Sequence, residues 1–178
     1  MIYLDSAATT ACAPEVVDAM VPLFRDAFAN ASSIDHIPGA AARRAVDQAR
    51  DEVAEMVGAR AEDVIFTSGS TEANNLALSV RHRVLTTKAE HPSVLDPLSA
   101  RNRDDDGYLE LDASGLVIVS ALRERLSAGK VPTLVSVIAT NNETGLEQDL
   151  EALSEAVATS GALLHLDAEL FHIGAEPF

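Results

Sequence analysis

Tryptophan is missing altogether from this chain, and aromatic residues make up only 4% of it. Any core must therefore be assembled from Ala, Val, Leu and Ile; apolar types together reach 47% of the 178 residues, enough for one domain of ordinary size. Cysteine is almost as scarce. Cys12 stands alone, so no internal disulfide is available, and its place just before the first helix predicts a buried or half-buried side chain. Basic residues are few: 13 Lys and Arg stand against 28 Asp and Glu, a formal net charge of −15. Nucleic acid and anionic membrane surfaces both require a basic face, so neither is an expected partner. No apolar run approaches the roughly 20 residues of a membrane span. The opening "MIYLDSAATT" has neither the basic start nor the apolar stretch of a signal peptide. A cytoplasmic location is the expectation.

What is present is an alternation of strand-like and helix-like segments. "VVDAMVPLF" after Pro14 has helical spacing. "AARRAVDQARDEVAEMVG" (41–58) predicts an amphipathic helix with Ala42, Val46, Ala49, Val53 and Met56 on one stripe and Gly58 as its stop. Strands are expected at "DVIFTS" (63–68), "RVLTT" (83–87), "YLELD" (108–112), "TLVSVIAT" (133–140) and "LLHLD" (163–167). Helices are expected at "EANNLALSV", at 116–128 and at 149–161. This order predicts an α/β fold with a mostly parallel sheet flanked by helices. "RNRDDDG" (101–107) reads as a solvated loop.

In such a sheet, ligands bind beyond the carboxyl ends of the strands. Four polar segments fall there: "TSGSTEANN", "KAEHPS", "NNETG" and the residues after Asp167. Ser70 and Thr71 open a helix, where hydroxyls and backbone N–H groups either hold a phosphate or simply cap the helix. The loop is neither a Walker loop nor a dinucleotide fingerprint, since the lysine and the further glycines are lacking. His91 is either an exposed loop residue or a flat ring for stacking on an aromatic ligand. Asn142 either makes a turn or donates to a ligand. Asp167 shares a strand face with His165, and the unit from Thr133 to Asp167 places Asn142 and Asp167 at the same ends of two parallel strands. The histidines and Cys12 have no metal-ligand spacing, so no metal site is expected.

Together these motifs resemble the cysteine desulfurases, within the class V aminotransferase group of pyridoxal 5'-phosphate (PLP) enzymes. "YLDSAATT", "NASSI…GAAARRAVDQAR", "VIFTSGSTEANNLAL", "EHPSVL", "NNETG" and "HLDA" occur in that family's order, over nearly all of the chain. The resemblance implies a three-layer partial PLP-transferase large domain, an N-terminal part spanning 1–178 with 1–12 as an extended segment. It implies that Ser70 and Thr71 bind the cofactor phosphate, that His91 stacks on the ring, that Asn142 bonds the ring's phenolic oxygen, and that Asp167 pairs with the ring nitrogen. His91 and Asp167 would be the catalytic pair.

There are departures. "SSIDHIPG" carries an extra residue, and Leu170 stands where the family has a glutamine. The family's Schiff-base lysine and nucleophilic cysteine lie beyond the residues here, and neither Lys88 nor Lys130 matches that lysine. The leading expectation is therefore a split enzyme acting on a small sulfur amino acid. A complementary polypeptide would supply the lysine in a hetero- or homo-oligomer, and sulfur would leave cysteine as a persulfide. The alternatives are a non-catalytic assembly or binding module and a truncated piece of a longer enzyme.

Overall fold

The strand that sequence reading ranks as the most buried organises the larger part of the fold. In the computed structural model, which describes residues 2, 9–80, 82–101, 103–128 and 131–169, Thr133–Ile138 (β3) is buried at all six positions. It is flanked by Arg83–Thr86 (β1) and Leu163–Asp167 (β4), and Gly107–Tyr108 (β2) pairs with the far side of β1. The strand order is β2-β1-β3-β4 and every pairing is parallel. An all-parallel sheet needs cover on both faces, which accounts for the unbroken apolar character of β3.

Alternate residues of β3 serve opposite faces. Leu134 joins Val84 of β1 in one cluster, completed by Leu78 from helix α3 (Ser70–Leu78) and by Val94 and Leu98 from α4 (Pro92–Arg101). Val135 and Val137 join Leu85 in the other. Its remaining members include Leu122 and Leu126 of α5 (Val119–Ser127) and Leu153, Ala156 and Val157 of α6 (Leu150–Ala158). The result is the expected helix–sheet–helix layering. Local chemistry sets the α6 boundaries: the Asp149 carboxylate accepts from the Ala152 N–H at 3.0 Å, and Gly161 turns the chain at φ 74°.

The chain divides into two units, Met1–Phe66 and Thr67–Phe178. The sheet lies wholly in the second. The first contains α1 (Pro14–Arg25), α2 (Ile37–Val57) and a 3₁₀ turn at Ala61–Asp63. His36 caps α2 through Nδ1, which accepts from the Gly39 N–H at 3.0 Å. Gly39 is required there, because a β-carbon would stand 1.8 Å from the Ser33 carbonyl oxygen.

Several sequence expectations are corrected. Val64–Thr67 runs without a ladder partner among the described residues, so "DVIFTS" forms no strand, and Ile65 and Phe66 are exposed. An extended segment becomes a strand only when another backbone meets its N–H and C=O groups. The expected strand 108–112 shrinks to Gly107–Tyr108, and Val117 bridges antiparallel to Leu111, which delays α5 to Val119. Helix α4 was not anticipated, because Pro92 and Pro97 disguise it. Cys12 is exposed rather than buried. On the α2 stripe, Ala42 is buried but Val46 and Met56 are exposed. Lys130, Leu170 and residues 3–8 lie outside the described residues.

Candidate functional site

Asp167 closes β4 and is 7% exposed. Its position follows from the register: Asp167 lies opposite Ile138, and the Ala139 N–H donates to its carbonyl at 2.8 Å. Side chains of β4 alternate, so Leu164 goes to the α5/α6 cluster while His165 and Asp167 take the other face. There Asn74 of α3 meets the carboxylate. Its Nδ2 donates to Asp167 Oδ2 at 2.9 Å and to Ser93 Oγ at 2.9 Å.

Ser93 in turn fixes His91. The Ser93 N–H donates to His91 Nδ1 at 3.1 Å, and Ser93 Oγ lies 2.8 Å from the same nitrogen. A nitrogen that accepts a backbone N–H carries no proton of its own. Ser93 Oγ, already accepting from Asn74, therefore donates to Nδ1, and the ring proton sits on Nε2. One continuous chain of bonds runs from Asp167 through Asn74 and Ser93 to the exposed ring of His91. Its two middle members are 3% and 8% exposed.

Asn141 ties in the loop after β3. Its Nδ2 donates to the Ala89 carbonyl at 2.8 Å, and its Oδ1 accepts from the Glu143 and Thr144 N–H groups. The turn-forming role that sequence reading kept open for Asn142 is filled by Asn141. Asn142, the next residue, is exposed. Ser70 and Thr71 form the first turn of α3, with Ser70 one turn before Asn74. Neither hydroxyl caps the helix. The Glu72 carboxylate instead ties down the residue before the N-cap, accepting from Ser68 N–H at 2.7 Å and Ser68 Oγ at 2.6 Å, and these bonds lower its pKa.

The structure thus brings His91 and Asp167 into one network. It places Ser70 and Thr71 on the helix that supplies the network's Asn74, and Asn142 in the loop that Asn141 straps to Ala89. Two further residues belong here that sequence reading passed over. Asn74 shares the buried face of α3 with Leu78, so a polar residue at an apolar helical position was the available signal. Glu90, beside His91 in sequence, is 6% exposed, and burial pushes its carboxyl up to about 7. His165 is half-buried, with Nδ1 2.9 Å from Ser136 Oγ, and burial lowers its pKa. No group of three metal-ligating side chains occurs among the described residues. A groove of about 590 Å³ opens at the opposite ends of β3 and β4, lined by Arg123, Val131 and Ala162 among others, away from this cluster.

The arrangement suits a flat ring that bears a phosphate and a cationic ring nitrogen. It offers a buried carboxylate for a cationic ring nitrogen, an oriented imidazole face, and free hydroxyls at a helix N-terminus. Residues 2–170 match the family Aminotransferase class-V. A cysteine desulfurase of Frankia sp. (strain EuIK1) is 42% identical over 179 residues, covering 90% of this chain and 42% of that relative. The solved NifS-like protein from Rickettsia africae is 30% identical with a TM-score of 0.85, covering 94% of this chain and 48% of that one. SspA, solved in complex with cysteine, is 31% identical with a TM-score of 0.82, covering 92% and 49%. The chain therefore spans less than half the length of these relatives.

Proposed function

The chain belongs to the class-V aminotransferase family, and from that premise we propose that it forms the cofactor-holding face of a PLP-dependent cysteine desulfurase. PLP is the cofactor expected of this family and its cysteine desulfurase relatives. The observation that carries the proposal is the unbroken bond network from Asp167 to His91 at the carboxyl ends of the parallel strands.

The donor set fits the cofactor. A carboxylate holding one side-chain donor keeps lone pairs for a second, and Asp167 would take the protonated ring nitrogen as that second donor. His91, its Nδ1 tied to Ser93, would present its face to the ring. Ser70, Thr71 and the first N–H groups of α3 would hold the phosphate, and Asn142 the phenolic oxygen. Bound there, PLP supplies an electron sink for bond changes at a substrate's α-carbon. Asp167 would keep the ring nitrogen protonated, and the buried Asn74 would keep Asp167 aimed.

The substrate in this reading is cysteine, in line with the relative solved in complex with it. Sulfur would leave as a persulfide on a thiol. That thiol and the Schiff-base lysine would come from a complementary polypeptide in an oligomer. Lys88 is not assigned that role: its position does not match the family's lysine, and its Nζ lies over the Tyr108 ring at 5.4 Å. Two surfaces support a partner: β4 has a ladder neighbour on one side only among the described residues, and α1 buries none of its residues. A cytoplasmic setting is part of the same proposal; among the described residues no helix is long and apolar enough to cross a membrane.

Purification from the native source, followed by mass spectrometry of what co-purifies, tests the partner. The co-purified assembly should be yellow and release sulfide from cysteine with a reductant. In it, Asp167→Ala should lower turnover by about 100-fold or more, the scale of losing one preorganised electrostatic partner. A variant keeping most of its activity would remove Asp167 from the proposed role.

A further inference from the structure

The His91 ring is held by more than helix capping requires. His91 caps α4: its carbonyl accepts from the Val94 and Leu95 N–H groups at 2.9 and 3.2 Å, and its Nδ1 accepts from the Ser93 N–H at 3.1 Å. Pro92 has no N–H, so Ser93 supplies the first free donor of the helix. His36 caps α2 in the same manner, with Nδ1 on the Gly39 N–H. Among the described residues that backbone donor is the only partner of His36 Nδ1. His91 Nδ1 has a second, the Ser93 hydroxyl at 2.8 Å.

Capping explains the backbone bond but not the hydroxyl behind it, because alanine at 93 would leave the cap intact. Ser93 and Asn74 are 8% and 3% exposed, and polar groups so placed cost stability unless each is bonded. The donors run outward from Asn74. One amide hydrogen goes to Asp167 Oδ2 and the other to Ser93 Oγ, and the Ser93 hydroxyl hydrogen goes on to His91 Nδ1. A buried network satisfied in this way fixes one arrangement of its members.

We propose that Asn74 and Ser93 are a pair of positioning residues that hold the plane and tautomer of the His91 ring in register with the Asp167 carboxylate. Both are buried, and both act through the residues they bond. They join two groups that come from different elements, the end of β4 and the cap of α4. The service to PLP rests on the function proposed above, where Asp167 meets the ring nitrogen and His91 the ring face. The coupling of His91 to Asp167 does not rest on it.

The test is a long-range ¹H–¹⁵N correlation spectrum of the full 178-residue chain, labelled in the histidine rings. It is recorded at about pH 8.5, above the ordinary histidine pKa of about 6.5. His91 should carry its proton on Nε2, and its Nδ1 signal should lie upfield of that of His36 because of the added donor. Ser93→Ala should move His91 Nδ1 downfield and leave His165, which Ser136 holds, in place. Asn74→Ala should move it the same way by less, and the double variant should go no further than Ser93→Ala alone. An unmoved Nδ1 in Ser93→Ala overturns the proposal, as do effects of the two substitutions that simply add. If the variants do not fold, the wild-type spectrum decides. His91 Nδ1 upfield of His36 Nδ1 supports the proposal, and a coincident signal or a proton on His91 Nδ1 overturns it.

PLP titrated into the same samples and followed by absorbance separates the two readings. Ser93→Ala should weaken binding roughly threefold to tenfold, the scale of one hydrogen bond. No binding by any sample, with the His91 signals as expected, sinks the functional reading alone. PLP bound equally by wild type and Ser93→Ala, with His91 unmoved, sinks this one alone.

Discussion

Helices α1 and α6 carry apolar residues at the same helical spacing, yet they end in opposite situations. In α6, Leu153, Ala156 and Val157 are buried at 1–2% exposure against the sheet and α5. In α1, Val16, Val17, Met20 and Leu23 are all exposed by more than 40%, and Phe24 by 72%. The α6 stripe meets a sheet made within its own unit. The α1 stripe meets no such surface in Met1–Phe66. Amphipathic periodicity specifies a helix and the direction of its apolar face, but the energy of that face exists only where a second surface removes it from water.

The sharpest way to break this contrast is to truncate one residue from each helix. Leu153→Ala should cost about 2–5 kcal/mol, the usual range for emptying a core site, read as a lower urea midpoint for the 178-residue chain. Phe24→Ala should change that midpoint by no more than about 0.5 kcal/mol, as surface substitutions do. A comparable loss at Phe24 would mean that α1 packs tightly in the isolated chain.

The second unit should also have its own dependence on pH. The raised Glu90 carboxyl keeps its proton in the fold while the unfolded chain releases it, so stability should fall as pH rises. The fall should begin near 4.5, end near 7 and amount to roughly 3 kcal/mol. Glu90→Gln removes this slope, so the variant should melt above the wild type at pH 8 and close to it at pH 4. Thermal melts at the two pH values read the difference. Asn74→Ala is next in size. It strips Asp167 of a buried donor and should cost about 1–3 kcal/mol by chemical denaturation. It should also shift the His91 ring signals, because Ser93 loses the bond that orients its hydroxyl.

Much of the site was legible residue by residue. Asp167 was expected at the end of an apolar strand and His91 and Asn142 after strands, and the structure joins His91 and Asp167 through one hydrogen-bond network. The links between them were not legible. Asn74 and Asp167 are 93 positions apart, and no local pattern tells an asparagine on a helix's inner face which strand end it will meet. Helix α4 was hidden for a different reason: Pro92 and Pro97 read as turn residues, yet Pro92 opens the helix and Pro97 is carried within it. The strand expected at 63–68 failed because strand formation depends on a neighbour rather than on composition.

By itself the sequence determined the α/β alternation, the family, and the polar residues that follow each strand, because strand and helix periods and turn chemistry are local properties of the chain. Only the tertiary structure decided which apolar faces are covered, which extended segments pair, and which side chain meets the Asp167 carboxylate. Those outcomes depend on what surface or hydrogen-bonding group arrives from far along the chain, and burial from water makes such an arrival worth several kcal/mol.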